Sequence, residues 1–126
     1  MKAGEVPAEV RRFILTSVPS VPFLEAVLLL RGEPSHGWDA ALLARRLYVP
    51  ERTAQELMAQ LAEAGITAPP SEGAAVRYAP PPELADLLDR VAAAYAADLV
   101  AITDLIHSRI DKRAQRFADA FRFRKE

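Results

Sequence analysis

The sequence predicts a mainly α fold with a small β-hairpin: two N-terminal helices, two short helices joined by a tight turn, the hairpin, and a long C-terminal helix. Three observations predict it. Apolar residues recur at three- and four-residue spacing over most of the chain. Gly and Pro clusters separate these runs. Two short apolar segments flank Pro69-Pro70-Ser71-Glu72-Gly73, the arrangement of a hairpin.

The elements follow in order. From Pro7 to Val18, residues Val10, Phe13, Ile14 and Val18 share one helix face, with Pro7 suited to a first turn and Pro19 ending the run. After Ser20, a candidate N-cap, Val21 to Arg31 is apolar apart from Glu25 and the terminal Arg31, so this helix is expected at the centre of the core. Gly32-Glu33-Pro34-Ser35-His36-Gly37 reads as a loop, and Trp38 as an aromatic core plug. Asp39 can cap a short helix that turns Leu43, Ala44 and Leu47 inward. Tyr48-Val49 make a tight turn, and Pro50 opens a helix striped by Ala54, Leu57, Met58 and Leu61 that Gly65 ends in a left-handed cap.

Ile66-Thr67-Ala68 and Ala75-Val76-Arg77-Tyr78 are the expected strands, and Ala79-Pro80-Pro81-Pro82 is a stiff connector. From Pro82 a helix is expected at least to Ile110, about 43 Å at 1.5 Å per residue. Its apolar positions recur every eleven residues: Leu84, Tyr95, Ile106 and Phe117; Leu88, Leu99 and Ile110; Val91 and Ile102. That period predicts nearly straight packing along a partner, which is the first two helices, a second chain, or both.

Composition bounds the function. The 126 residues fit one domain, and 51% hydrophobic with 26% charged residues is ordinary globular usage. There is no cysteine, which excludes disulfides, thiolate nucleophiles and cysteine-ligated zinc. The start Met1-Lys2-Ala3-Gly4-Glu5 leads into no apolar stretch of signal length, and Ala26 to Leu30 is too short to span a bilayer, so a cytoplasmic protein without membrane contact is expected. His36 and His107 have no ligand-spaced companions, and no phosphate loop or nucleophile motif is present. No enzyme, metal or cofactor is expected. Asp86, Asp89, Asp98 and Asp104 fall at spacings of a solvated helix face.

The pattern Trp38, Leu43-Ala44, Leu47, Val49, Ala54, Leu57, Leu61, Gly65-Ile66 resembles the winged helix-turn-helix superfamily, and within it the MarR-like and PadR-like bacterial regulators. The resemblance covers residues 38 to 78. It implies a transcriptional regulator in which the helix from Glu51 to Ala64 enters the major groove and the hairpin, as a wing, touches the neighbouring backbone. It also implies a homodimer built by helices outside the motif. The dimerisation residues are then Leu88, Tyr95, Leu99, Ile102, Ile106, Ile110 and Phe117.

Under that reading double-stranded DNA is the partner. The candidate contacts are Arg52, Thr53 and Gln55 in the first turn of the groove helix, Arg45 and Arg46 at the end of the helix before it, and Arg77 on the outer face of the second strand. Each arginine reads equally well as an ordinary solvated side chain.

Charge argues the other way. Stepping about 100° per residue, Arg52, Glu56, Ala59 and Glu63 point outward, and two of these four are acids. From Pro34 to Ala79 there are four basic and five acidic residues, so the motif is not a basic patch. From Arg109 to Glu126 seven basic residues face three acidic ones, and Phe117, Phe121 and Phe123 are interleaved with arginines. That end is expected to complete a dimer core, the favoured reading because Phe117 and Phe121 lie four apart, or else to dock on an acidic protein partner or stack with single-stranded nucleic acid. The alternative function is therefore a protein-interaction module that uses its acidic helix or its basic aromatic C-terminal end.

Overall fold

A computed structural model describes residues 6–68 and 75–108. Six helices lie among them: α1 (Ala8–Ser17), α2 (Val21–Gly32), α3 (Ala40–Leu47), α4 (Glu51–Glu63), α5 (Pro82–Ala97) and α6 (Leu99–Ser108). The chain packs as two compact units. One is formed by its two ends, up to Val21 and from Ala93 onward; the other is Pro22–Ala92.

In the unit built from the chain ends, α1 buries Val10, Phe13 and Ile14. Its first backbone bond runs from the Arg11 N–H to the Pro7 carbonyl, 2.9 Å, which suits a proline whose missing donor would be idle there anyway. Pro19 disfavours a helical Val18, and Val18 is extended at φ −105°, ψ 102°. In α6, Ile102 and Ile106 share a face at four-residue spacing and are fully buried.

In the other unit, α2 buries Phe23, Leu24, Ala26, Val27 and Leu30, as its apolar run requires. Asp39 caps α3: its carboxylate accepts from the Leu42 N–H at 2.8 Å. α3 and α4 pack against one another and bury Leu43, Ala44, Ala54, Leu57, Met58 and Leu61.

Both helices of this pair end in the same left-handed turn. At the end of α4, Gly65 has φ 80°, and the Ile66 N–H reaches back to the Leu61 carbonyl at 3.0 Å. At the end of α3, the Val49 N–H reaches back to the Ala44 carbonyl at 3.1 Å, and the left-handed residue is Tyr48, φ 58°, ψ 44°. A residue with a Cβ costs roughly 1–2 kcal/mol in that conformation, where glycine is free of the penalty.

Two expectations are corrected. The β-hairpin wing is not seen: among the described residues no strand forms, and pairing is confined to isolated antiparallel bridges, Trp38 with Val76 and Thr67 with Tyr78. Val76 and Trp38 exchange both backbone bonds, at 2.8 and 2.9 Å, and the Ala79 N–H donates to the Ile66 carbonyl at 2.9 Å. The segment from Ala75 to Tyr78 thus divides its few pairings between two neighbours instead of zipping along one. Alanine at 68 and 75 favours strands weakly, and the prolines after Ala68 supply no donors. The expected turn from Pro69 to Gly73 lies outside the described residues.

The long C-terminal helix is also not seen. α5 ends at Ala97 and α6 begins at Leu99. Asp98 joins them as a cap: its carboxylate accepts from the Ala101 N–H at 3.0 Å. The eleven-residue rows therefore run across two helices. In the row of Leu88 and Leu99, Leu88 is fully buried and Leu99 is 53% exposed.

Candidate nucleic-acid interface

The end of α3, the turn at Tyr48-Val49-Pro50 and the first turn of α4 form one continuous surface. Leu43 and Ala44 on one side and Ala54, Leu57 and Leu61 on the other hold the two helices together. The turn itself is set by the Schellman-type bond from Val49 and by Pro50, whose ψ of 149° precedes the start of α4. Arg45, Arg52 and Gln55 are exposed and Thr53 is half-buried. Outward-facing Glu56, Ala59 and Glu63 are exposed as well.

The six expected DNA contacts are not equivalent. Arg45, Arg52, Thr53 and Gln55 flank the turn on the ends of α3 and α4. Arg46 is occupied: Nη2 donates to a Glu33 carboxylate oxygen at 2.9 Å, and its guanidinium carbon lies 5.4 Å from the centre of the Trp38 ring. Both ends of the ion pair are over 40% exposed, so it contributes no more than about 1 kcal/mol; its main effect is to turn Arg46 toward the loop before α3. His36 meets Trp38 edge-on from the same loop, 4.9 Å between centroids at 72°. Arg77 is exposed between the inward-facing Val76 and Tyr78, and no hydrogen bond or ion pair links it to the α3–α4 turn.

Charge separates along the pair. From Arg45 to Arg52 there are three arginines and Glu51; from Glu56 to Glu63 there are two acids and no base. The N-terminal end of α4 adds the positive pole of its backbone dipoles to the basic side. The turn is thus the cationic end of a helix whose far half is anionic.

Four buried polar atoms have no hydrogen-bond partner among the described residues: Trp38 Nε1, Gln60 Oε1, Thr67 Oγ1 and the Tyr78 hydroxyl. Trp38 is fully buried, as a core plug should be. Burial raises the Tyr78 phenol above its ordinary 10.0; the Asp89 carboxylate raises it further, and Arg31 acts in the opposite direction. Asp89 accepts from Arg31 Nε at 2.9 Å, and Asp86 from Arg90 Nη2 at 2.6 Å. Two of the four aspartates read as a solvated face are therefore paired, and a third, Asp98, is a helix cap.

Of the residues expected at a dimer interface, Leu88, Ile102 and Ile106 are fully buried within the chain itself, Tyr95 is half-buried and Leu99 is exposed beside Val100. Ile110, Phe117 and the rest of the basic aromatic end lie outside the described residues. No group of three or more His, Asp or Glu side chains suited to a metal occurs among the described residues, and no single helix there is long and apolar enough to cross a membrane.

Sequence reasoning missed two features of this surface. The full exposure of Tyr48 had a signal, since a turn too short to fold back leaves its side chain nowhere to pack. The capture of Arg46 by Glu33 had none, because it joins residues thirteen apart across a loop. No protein-family model matches this chain, and neither a curated protein nor a solved structure matches it.

Proposed function

We propose that this chain is a duplex-DNA-binding protein of helix-turn-helix type, acting in transcription regulation, with α4 as the helix that enters the major groove. The observation that carries the reading is the open first turn of α4. Arg52 and Gln55 are exposed and Thr53 half-exposed, on a helix whose other face is locked against α3. These are side chains suited to base edges and phosphates, on the part of such a helix that reaches the groove first. The reading keeps the helix-turn-helix and dispenses with a wing. The acids at Glu56 and Glu63 lie farther along α4, so they limit the contact to its N-terminal half.

Fluorescence anisotropy with labelled duplex DNA at low salt tests it. Binding is expected at micromolar protein, falling as salt rises, and Arg52→Glu should weaken it by more than tenfold because a phosphate neutraliser becomes a repelling charge. Absence of binding, or an unchanged affinity in Arg52→Glu, removes α4 as the groove helix.

A second reading is favoured by the exposed Glu51, Glu56 and Glu63, which suit a basic protein face. Under it, Glu56→Lys with Glu63→Lys abolishes capture of that protein, whereas under the DNA reading the same pair strengthens duplex binding. Dimerisation rests, among the described residues, on Tyr95 and Leu99; a mass by light scattering that stays monomeric at all concentrations removes it.

A further inference from the structure

We propose that Tyr48 is a DNA-contact residue of this surface, its hydroxyl donating to a backbone phosphate of the duplex beside which α4 inserts. The inference rests on the DNA reading above and names a residue that reading does not use.

Tyr48 is 95% exposed, the most exposed of the large hydrophobic residues described. It is also the one non-glycine residue at positive φ among those described. The same chain ends α4 in the same turn with Gly65, the residue for which that backbone is unstrained. At the end of α3 a large aromatic side chain occupies the strained position and is left almost wholly in solvent. Stability explains neither fact, because glycine or asparagine would hold the turn with less strain and without exposing an aromatic ring. A strained residue held by an otherwise well-determined turn is a reason to look for a contact made outside the fold.

The surroundings of Tyr48 specify that contact. Arg45 lies three residues before it and Arg52 four after. Both are exposed, with no ion pair to a described residue. The positive pole of α4 begins at Glu51, immediately beyond the turn. A phenol between two exposed arginines, with one carboxylate nearby at Glu51, suits a phosphate oxygen, to which it donates a charge-assisted hydrogen bond while the arginines neutralise the neighbouring charge. The left-handed backbone fixes the direction of the Cα–Cβ bond, while the exposed ring is still to be ordered on binding.

The test uses the full chain, labelled duplex DNA and a salt series. Tyr48→Phe keeps the ring and the backbone and removes only the donor. It should weaken binding roughly tenfold at every salt concentration, and it should leave the slope of log affinity against log salt unchanged, since a neutral donor releases no counterion. Arg45→Ala should instead reduce that slope by about one unit. Tyr48→Gly should bind as weakly as Tyr48→Phe while melting no lower than the wild type, which separates a lost contact from a damaged fold. Wild-type affinity in Tyr48→Phe, with Arg52→Glu still defective, overturns the role of Tyr48 and leaves α4 as the groove helix. A wild-type chain that binds no duplex overturns both.

Discussion

Replacing Asp98 by alanine distinguishes two folds by the sign of the effect. In the structure, Asp98 ends one helix and caps the next, its carboxylate accepting from the Ala101 N–H at 3.0 Å in a part-buried setting. Its own carbonyl receives the Ile102 N–H at 3.3 Å. Alanine cannot accept from Ala101, and loss of such a cap costs about 1 kcal/mol. Were residues 82 to 110 one continuous helix, Asp98 would sit in its interior, where alanine is better than aspartate by about 0.7 kcal/mol. The same substitution would then stabilise. For a chain of this size, with a urea m-value of roughly 1.5 kcal/mol/M, the cap predicts a midpoint lower by about 0.7 M. Asp98→Asn, which can still accept, should recover most of the loss. Urea unfolding followed by far-UV circular dichroism reads the helices directly, and Trp38, the only tryptophan, reports the other unit by its fluorescence. A raised midpoint in Asp98→Ala would refute the break between α5 and α6.

Two further predictions probe the other unit. In Gly37→Ala the added Cβ would lie 2.9 Å from the Ala75 Cβ, forcing apart the segments that carry the Trp38–Val76 bridge. A loss of about 1–3 kcal/mol is expected, with the Trp38 emission shifted to the red, and an unchanged midpoint and emission would contradict the close approach. Tyr78 has a raised folded pKa, so the folded state holds the phenolic proton more tightly than the unfolded one. That contribution is complete below the unfolded value of 10.0 and is lost as pH rises through the higher folded value. The wild-type urea midpoint should therefore fall more steeply above pH 10 than that of Tyr78→Phe. At neutral pH the variant should be no less stable, since it discards a buried hydroxyl that has no partner among the described residues; parallel pH profiles would exclude Tyr78 as the source.

Much of the candidate surface was legible without coordinates. Helical stepping from Leu57 and Leu61 places Arg52, Glu56, Ala59 and Glu63 outward, and all four are exposed. The apolar stripe of α4 and the left-handed Gly65 follow from the same local rules. Arg46 was not legible as different from Arg45, because an ion pair with Glu33 and a contact with the Trp38 ring depend on how the loop before α3 folds back. Nor was the strain at Tyr48, since the chemistry of the turn would place glycine or asparagine there.

The amino-acid sequence by itself determined α1 to α4, their buried faces and their ends at Pro19, Asp39 and Gly65. These depend on periodicity, capping and backbone freedom within a few residues. Tertiary structure alone decided that Val76 pairs with Trp38 rather than extending a hairpin, and that Leu88, Ile102 and Ile106 are each buried within the chain. It also decided that Asp98 divides what an eleven-residue period draws as one helix. The physical reason is common to all three. An apolar period records which residues must leave water, and strand propensity which segments can pair, but neither records the partner. A short ladder or a helix break is chosen by whichever distant surface buries those residues best.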